Sequence, residues 1–148
     1  MAEGNRDLHS GGCLCGAVRY EVRGPLRREV NACHCRICRR FTGGLWAGTA
    51  AWREDVSIED DGALTWYQSS PHARRGFCGR CGSGLFWEGA GDPDLVIAAS
   101  SLDEPSGLRL TMHTMTVEAA DFWDFSDRVL RKEGPSGLEM PPTIDRGD

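Results

Sequence analysis

The chain has 148 residues, 40% of them apolar, which suffices for one domain with a modest core. A net charge of −5 argues against a nucleic-acid partner, because phosphate binding needs a concentrated positive surface. No run approaches the apolar length of a membrane span and no apolar leader follows Met1, so the expectation is a soluble, cytoplasmic protein without a membrane partner.

Residues 1–10 carry little to bury and are expected to be flexible, with the working domain over residues 11–131. The first cysteine pair, Cys13 and Cys15, lies in Gly11-Gly-Cys-Leu-Cys-Gly16, where glycines free the backbone to turn its N–H groups toward sulfur. Residues 17–22 then alternate, with Val18, Tyr20 and Val22 on one face and Arg19 and Glu21 on the other, the period of a half-buried strand. Short runs of the same kind follow at 29–33, 45–51, 64–68, 84–87, 95–99 and 110–117. Turn signals separate them, among them Arg23-Gly-Pro25, Asp60-Asp-Gly62 and Gly91-Asp-Pro93. Helix is expected only in short pieces, at 36–41 and 119–125. The chain therefore reads as mostly β. From residue 132 to 148 proline and glycine dominate, as in a loose or strapped-down tail. Of the five tryptophans, Trp46, Trp52, Trp66, Trp87 and Trp123, most are expected in the core, where a small β domain needs bulk.

All seven cysteines fall in three tight clusters: Cys13/Cys15, Cys33/Cys35/Cys38 and Cys78/Cys81. An odd count with no leader argues against a disulfide framework and for metal. Two pairs spaced by one or two residues supply four thiolates and close a tetrahedral site, for which zinc is the usual ion. Cys13, Cys15, Cys78 and Cys81 are thus expected to hold a structural zinc that staples an early hairpin to a late one. Cys33, Cys35 and Cys38 remain as three ligands with a position left open. On an extended strand Cys33 and Cys35 share a side, and a turn into a short helix brings Cys38 round to them. His34 then points away as a packing residue, the competing arrangement being a closed site with His34 as fourth ligand. His9, His72 and His113 lie outside ligand-like spacing and are expected to be surface or core histidines.

Three thiolates overcompensate Zn²⁺ to a net −1, which makes such a site a weak activator of water but leaves it thiophilic. Its natural fourth ligand is a substrate thiolate. Arg39, Arg40 and Arg75 gather positive charge near the three cysteines and are candidates to bind the carboxylates of a small acidic thiol through bidentate pairs.

Gly11-Gly-Cys-Leu-Cys-Gly-Ala-Val-Arg-Tyr20, Cys33-His-Cys-Arg-Ile-Cys38 and Arg75-Gly-Phe-Cys-Gly-Arg-Cys-Gly-Ser83 resemble the glutathione-dependent formaldehyde-activating enzyme and centromere protein V family. Ser100-Ser-Leu-Asp-Glu-Pro105, His113 and the region of Trp123 fit its closing segments. The resemblance implies an Mss4-like fold of twisted antiparallel sheets with short helices in one zinc-stapled domain. It implies the same division of the cysteines between a structural and a catalytic zinc. The reaction it implies is that of a carbon–sulfur lyase joining glutathione and formaldehyde in S-hydroxymethylglutathione. The competing functional class is a non-catalytic zinc module that maintains a shape or binds a protein partner.

Overall fold

A computed structural model describes residues 7–135. Its eleven strands form two sheets, a small one in the order β1-β2-β5 and a large one in the order β11-β10-β3-β4-β9-β8-β7-β6. The strands are β1 (Leu8–Gly12), β2 (Val18–Arg23), β3 (Val30–Cys33), β4 (Trp46–Trp52), β5 (Val56–Asp60), β6 (Leu64–Ser70), β7 (Ala73–Cys78), β8 (Gly84–Gly89), β9 (Asp94–Ala98), β10 (Leu110–Thr114) and β11 (Leu130–Arg131). One helix, α1 (Arg36–Thr42), and three single 3₁₀ turns complete the described elements. Pairing is antiparallel except at β10, which runs parallel to both β3 and β11.

The alternation in β2 has the expected outcome: Val18, Tyr20 and Val22 are 0%, 2% and 0% exposed and pack between the two sheets. Each such side chain contributes roughly 1.5–3 kcal/mol on burial. They meet Ala51, Leu85, Leu95 and Ile97 of the large sheet, which forms the main core. The opposite face of the same strands carries a second cluster of Trp46, Ala50, Val96, Ala98 and Cys38, with Phe41 and Trp87 against it. Strand β4 is apolar except for Thr49, whose hydroxyl donates to the Arg28 carbonyl, because it lies between β3 and β9 and is covered on both faces.

Several expectations need correction. β1 begins at Leu8, and its pairing with β2 from Leu8↔Arg23 to Gly12↔Arg19 takes in residues 8–10, which composition assigns to a flexible start. β5 and β7 escape periodicity because charge interrupts them; Arg74 and Arg75 sit in mid-strand in β7. No helix forms over 119–125. Trp123 and Phe125, two residues apart, both pack on the His34 ring with centroids 5.0 Å away, a presentation that a helix, turning about 100° per residue, cannot offer. β10 stops at Thr114 because Met115 takes a left-handed conformation (φ 54°).

Among the tryptophans only Trp46 is fully buried. Trp52 and Trp66 are half-buried and capped by guanidinium groups, Arg27 at 3.5 Å and Arg74 at 4.0 Å from the ring centroids. The chain after Lys132 is strapped down where it is described: the Thr116 and Met115 N–H groups bond to the carbonyls of Lys132 and Gly134. Residues 136–148 of the expected tail lie outside the described residues. Among the described residues no helix is long and apolar enough to cross a membrane.

Candidate metal centres

The first cysteine group is built by two matching turns. Cys13 follows β1, and its N–H bonds to the Val18 carbonyl while the Val18 N–H donates to Cys13 Sγ at 3.2 Å. Cys78 ends β7, and its N–H bonds to the Ser83 carbonyl. Each turn is closed by a glycine directly after its second cysteine, Gly16 at φ 83° and Gly82 at φ 79°, a backbone conformation that costs glycine nothing. The Leu14 N–H donates to Ser83 Oγ across the two turns. The four sulfurs of Cys13, Cys15, Cys78 and Cys81 lie within 4.8 Å of one another, and none of the seven cysteines forms a disulfide. Four soft donors at that separation fit one tetrahedral ion and leave no further position. Ser83 holds the Cys81 thiol well below its usual range, to about 5, through its side chain and its backbone.

The second group sits where β3 passes into α1. Cys33 is the last residue of β3, Cys35 is the N-cap of α1, and Cys38 lies in the first turn, its N–H donating to Cys35 Sγ at 3.3 Å. The helix is short because Gly43, in the left-handed conformation, returns its N–H to the Arg39 carbonyl. The sulfurs of Cys33, Cys35 and Cys38 also lie within 4.8 Å of one another. Hydrogen bonds from Cys33 and Cys38 draw the Cys35 thiol far down, while Cys33, Cys35 and burial drive Cys38 far up. One negative charge is what three adjacent thiols tolerate by themselves; a dication is needed for all three to ionise.

The candidate arginines separate in the structure. Arg75 is 4% exposed, reaches across the aromatic face and places Nη2 3.5 Å from Cys38 Sγ, with Phe41 under its guanidinium. Its Nε and Nη1 have no hydrogen-bond partner among the described residues. A buried guanidinium with no carboxylate beside it is costly, so the thiolates are its counter-charge. Arg39 is half-buried and Arg40 exposed, both in the last turn of α1. A cleft of about 500 Å³ opens beside that turn, bordered by Phe41, Thr42, Trp46, Leu14, Ser83 and Ser101.

His34 turns away from the sulfurs. It is fully buried, its Nε2 is 2.8 Å from His113 Nδ1, and His113 Nε2 is 2.9 Å from Asp127 Oδ2. Burial, and then the neighbouring His113, push the His34 imidazole below its usual pKa, so both rings are built into the wall behind the cysteine loop. His113 is therefore a core residue, as expected of a histidine outside ligand spacing. Sequence reasoning missed Asn31 in β3, buried at 4% exposure with neither amide atom paired among the described residues. Its position two residues before Cys33 was the available signal, since strand period places the two on one face.

Comparison with known proteins agrees with this layout. Residues 8–118 match the family described as glutathione-dependent formaldehyde-activating enzyme. A candidate glutathione-dependent formaldehyde-activating enzyme of Halomonas elongata is 35% identical over 105 residues, covering 65% of this chain and 66% of that protein. An uncharacterized lyase of Schizosaccharomyces pombe is 27% identical over 81 residues, covering 53% of this chain and 56% of its own length. The chain thus spans less than two thirds of the length of these curated relatives. A crystal structure of a Rhodobacter sphaeroides protein superposes with a TM-score of 0.54 at 28% identity, over 64% of this chain and 88% of that one. With three quarters of its length inside the family match, the chain belongs to the glutathione-dependent formaldehyde-activating enzyme family.

Proposed function

We propose that the protein is a zinc-dependent carbon–sulfur lyase acting on a small thiol adduct of the S-hydroxymethylglutathione type, made from glutathione and formaldehyde. In this reading Cys13, Cys15, Cys78 and Cys81 hold a structural zinc, and Cys33, Cys35 and Cys38 hold a second zinc with an open position. The donor sets fit: sulfur alone, at tetrahedral-site separation, four in one group and three in the other. When bound, the second zinc supplies a site that keeps a thiol ionised at neutral pH.

The observation that carries the proposal is Arg75, a buried cation held against Cys38 Sγ with two donor nitrogens, Nε and Nη1, left over. Three thiolates and a dication sum to −1, and Arg75 restores neutrality, which lets an anionic sulfur approach a site that would otherwise repel it. Its two spare donors match a carboxylate or carbonyl oxygen of the incoming thiol. Arg39 and Arg40, beside the cleft at the end of α1, serve the remaining carboxylates. The rings of Phe41 and Trp87 pack against the apolar cluster that includes Cys38.

The test uses cobalt-substituted protein and nuclear magnetic resonance exchange. Glutathione at millimolar concentration is expected to shift the thiolate-to-cobalt band of one of two metals, and the protein is expected to speed exchange between free formaldehyde and the adduct. An unchanged band and an exchange rate equal to that of buffer would overturn the reading and favour a non-catalytic zinc module.

A further inference from the structure

Asn31 and Cys33 lie on the same face of β3, and across the strand pair they stand opposite Gly48 and Trp46 of β4. Gly48 is not replaceable: a Cβ there would meet Trp46 Nε1 at 2.7 Å and Val96 Cγ1 at 2.9 Å. The missing side chain lets the indole lie flat over the strand, with its N–H above the position facing Asn31. Trp46 is 6% exposed and Asn31 4%, and among the described residues neither Trp46 Nε1 nor Asn31 Nδ2 or Oδ1 has a hydrogen-bond partner. Buried polar atoms are nearly always paired, and three orphaned ones next to a three-thiol group mark a place where something polar binds.

We infer that Asn31 and Trp46 form a subsite for the oxygen on the carbon that bonds to sulfur. This rests on the lyase reading and deepens it. In the addition direction the sulfur lone pair forms the carbon–sulfur bond, the carbonyl π pair moves to oxygen, and the proton released by the thiol ends on that oxygen. Cleavage reverses each movement, and no oxidant or reductant takes part. The oxygen accepts hydrogen bonds as a carbonyl and donates one as a hydroxyl. Trp46 Nε1 only donates; the Asn31 amide donates through Nδ2 and accepts through Oδ1. Together they suit both forms of the oxygen, and the donors stabilise the charge that gathers on it midway. The subsite therefore selects a hydroxylated thioether carbon over a plain alkyl one.

The experiment compares wild type with Asn31→Leu, a nearly isosteric change that removes the polar atoms and keeps the bulk, and with Trp46→Phe, which removes the indole N–H together with one ring. Adduct exchange is expected to fall about a hundredfold in each variant. The glutathione-induced cobalt shift should keep its midpoint within twofold, because the thiol arm is untouched. Removing an orphaned amide should raise the melting temperature of Asn31→Leu by about 2–8 °C, opposite to what a structural role predicts. Exchange within twofold of wild type in Asn31→Leu, or a lowered melting temperature, overturns the subsite and leaves the lyase reading standing. A wild type that neither shifts the band nor exchanges the adduct overturns both.

Discussion

The two cysteine groups use the same ligand atom and differ in how far the polar atoms around it are paired. At the four-thiol group both turns spend their backbone on the site itself: Cys13 and Cys78 are closed by chain hydrogen bonds, and the N–H groups of Val18 and Leu14 find sulfur or Ser83. At the three-thiol group Nε and Nη1 of Arg75, both amide atoms of Asn31 and Nε1 of Trp46 have no such partners among the described residues. A finished site satisfies its surroundings, whereas one that turns substrate over keeps donors waiting. The difference separates a candidate staple between two sheets from a candidate reaction centre on one face of a single sheet.

The largest effect expected from breaking this contrast is at Cys78, fully buried beneath the first group. Cys78→Ser should abolish the cooperative thermal transition seen by circular dichroism, because metal binding there is folding free energy of the same order as the stability of a whole domain, about 5–15 kcal/mol. A variant that still melts cooperatively with two metals bound would dissolve the distinction. Cys38→Ser should do the reverse: mass spectrometry under native conditions is expected to show one zinc instead of two, with the melt retained and adduct exchange lost. Next in size is Arg75→Met. The apolar chain replaces the arginine stem but not its guanidinium, and the −1 charge of the cluster goes uncompensated, so exchange should drop at least tenfold with the fold intact. Equal activity in Arg75→Met would remove the charge argument from the proposed function.

A smaller effect belongs to the wall behind the loop. His113→Phe leaves His34 Nε2 buried without its 2.8 Å partner, and the expected cost is roughly 1–3 kcal/mol in urea unfolding. Its size tells whether the cysteine loop is held from behind or stands alone.

Much of this architecture is legible in the sequence because it obeys short-range rules. Ligand spacing divides the cysteines four and three, and strand period sends Cys33 and Cys35 one way and His34 the other. What escapes depends on chain segments far apart in sequence. Arg75 reaches Cys38 across 37 residues, and His34 meets His113 across 79, neither of which any local pattern encodes. Strand β7 was hidden because Arg74 and Arg75 look like a solvated pair, yet Arg74 is spent on Glu88 and Trp66 while Arg75 turns inward. The absent helix at 119–125 fails for the same reason: its aromatic residues answer to His34 rather than to a local period.

The smallest effect expected lies next to the four-thiol group and sharpens what a finished site means. Gly11 in β1 presses against the Tyr20 hydroxyl so closely that no side chain would fit, and the hydroxyl bonds to Ser101 Oγ at 2.6 Å. Burial pushes the Tyr20 phenol well above its usual range, with the Ser101 bond opposing only part of that rise. A folded state that raises the pKa of an acid favours its neutral form. The stability that this shift contributes is therefore complete below the ordinary tyrosine pKa of about 10 and drains away as pH climbs above it toward the raised value. Tyr20→Phe should lose the hydrogen bond, about 0.5–1.5 kcal/mol at pH 7, and should also flatten the fall in stability above pH 10. Urea titrations at pH 7 and pH 10.5 measure both. A variant that matches wild type at pH 7 and falls as steeply at alkaline pH would mean that the hydroxyl is not held by Ser101. The packing beside the first centre would then be looser than its hydrogen bonds imply.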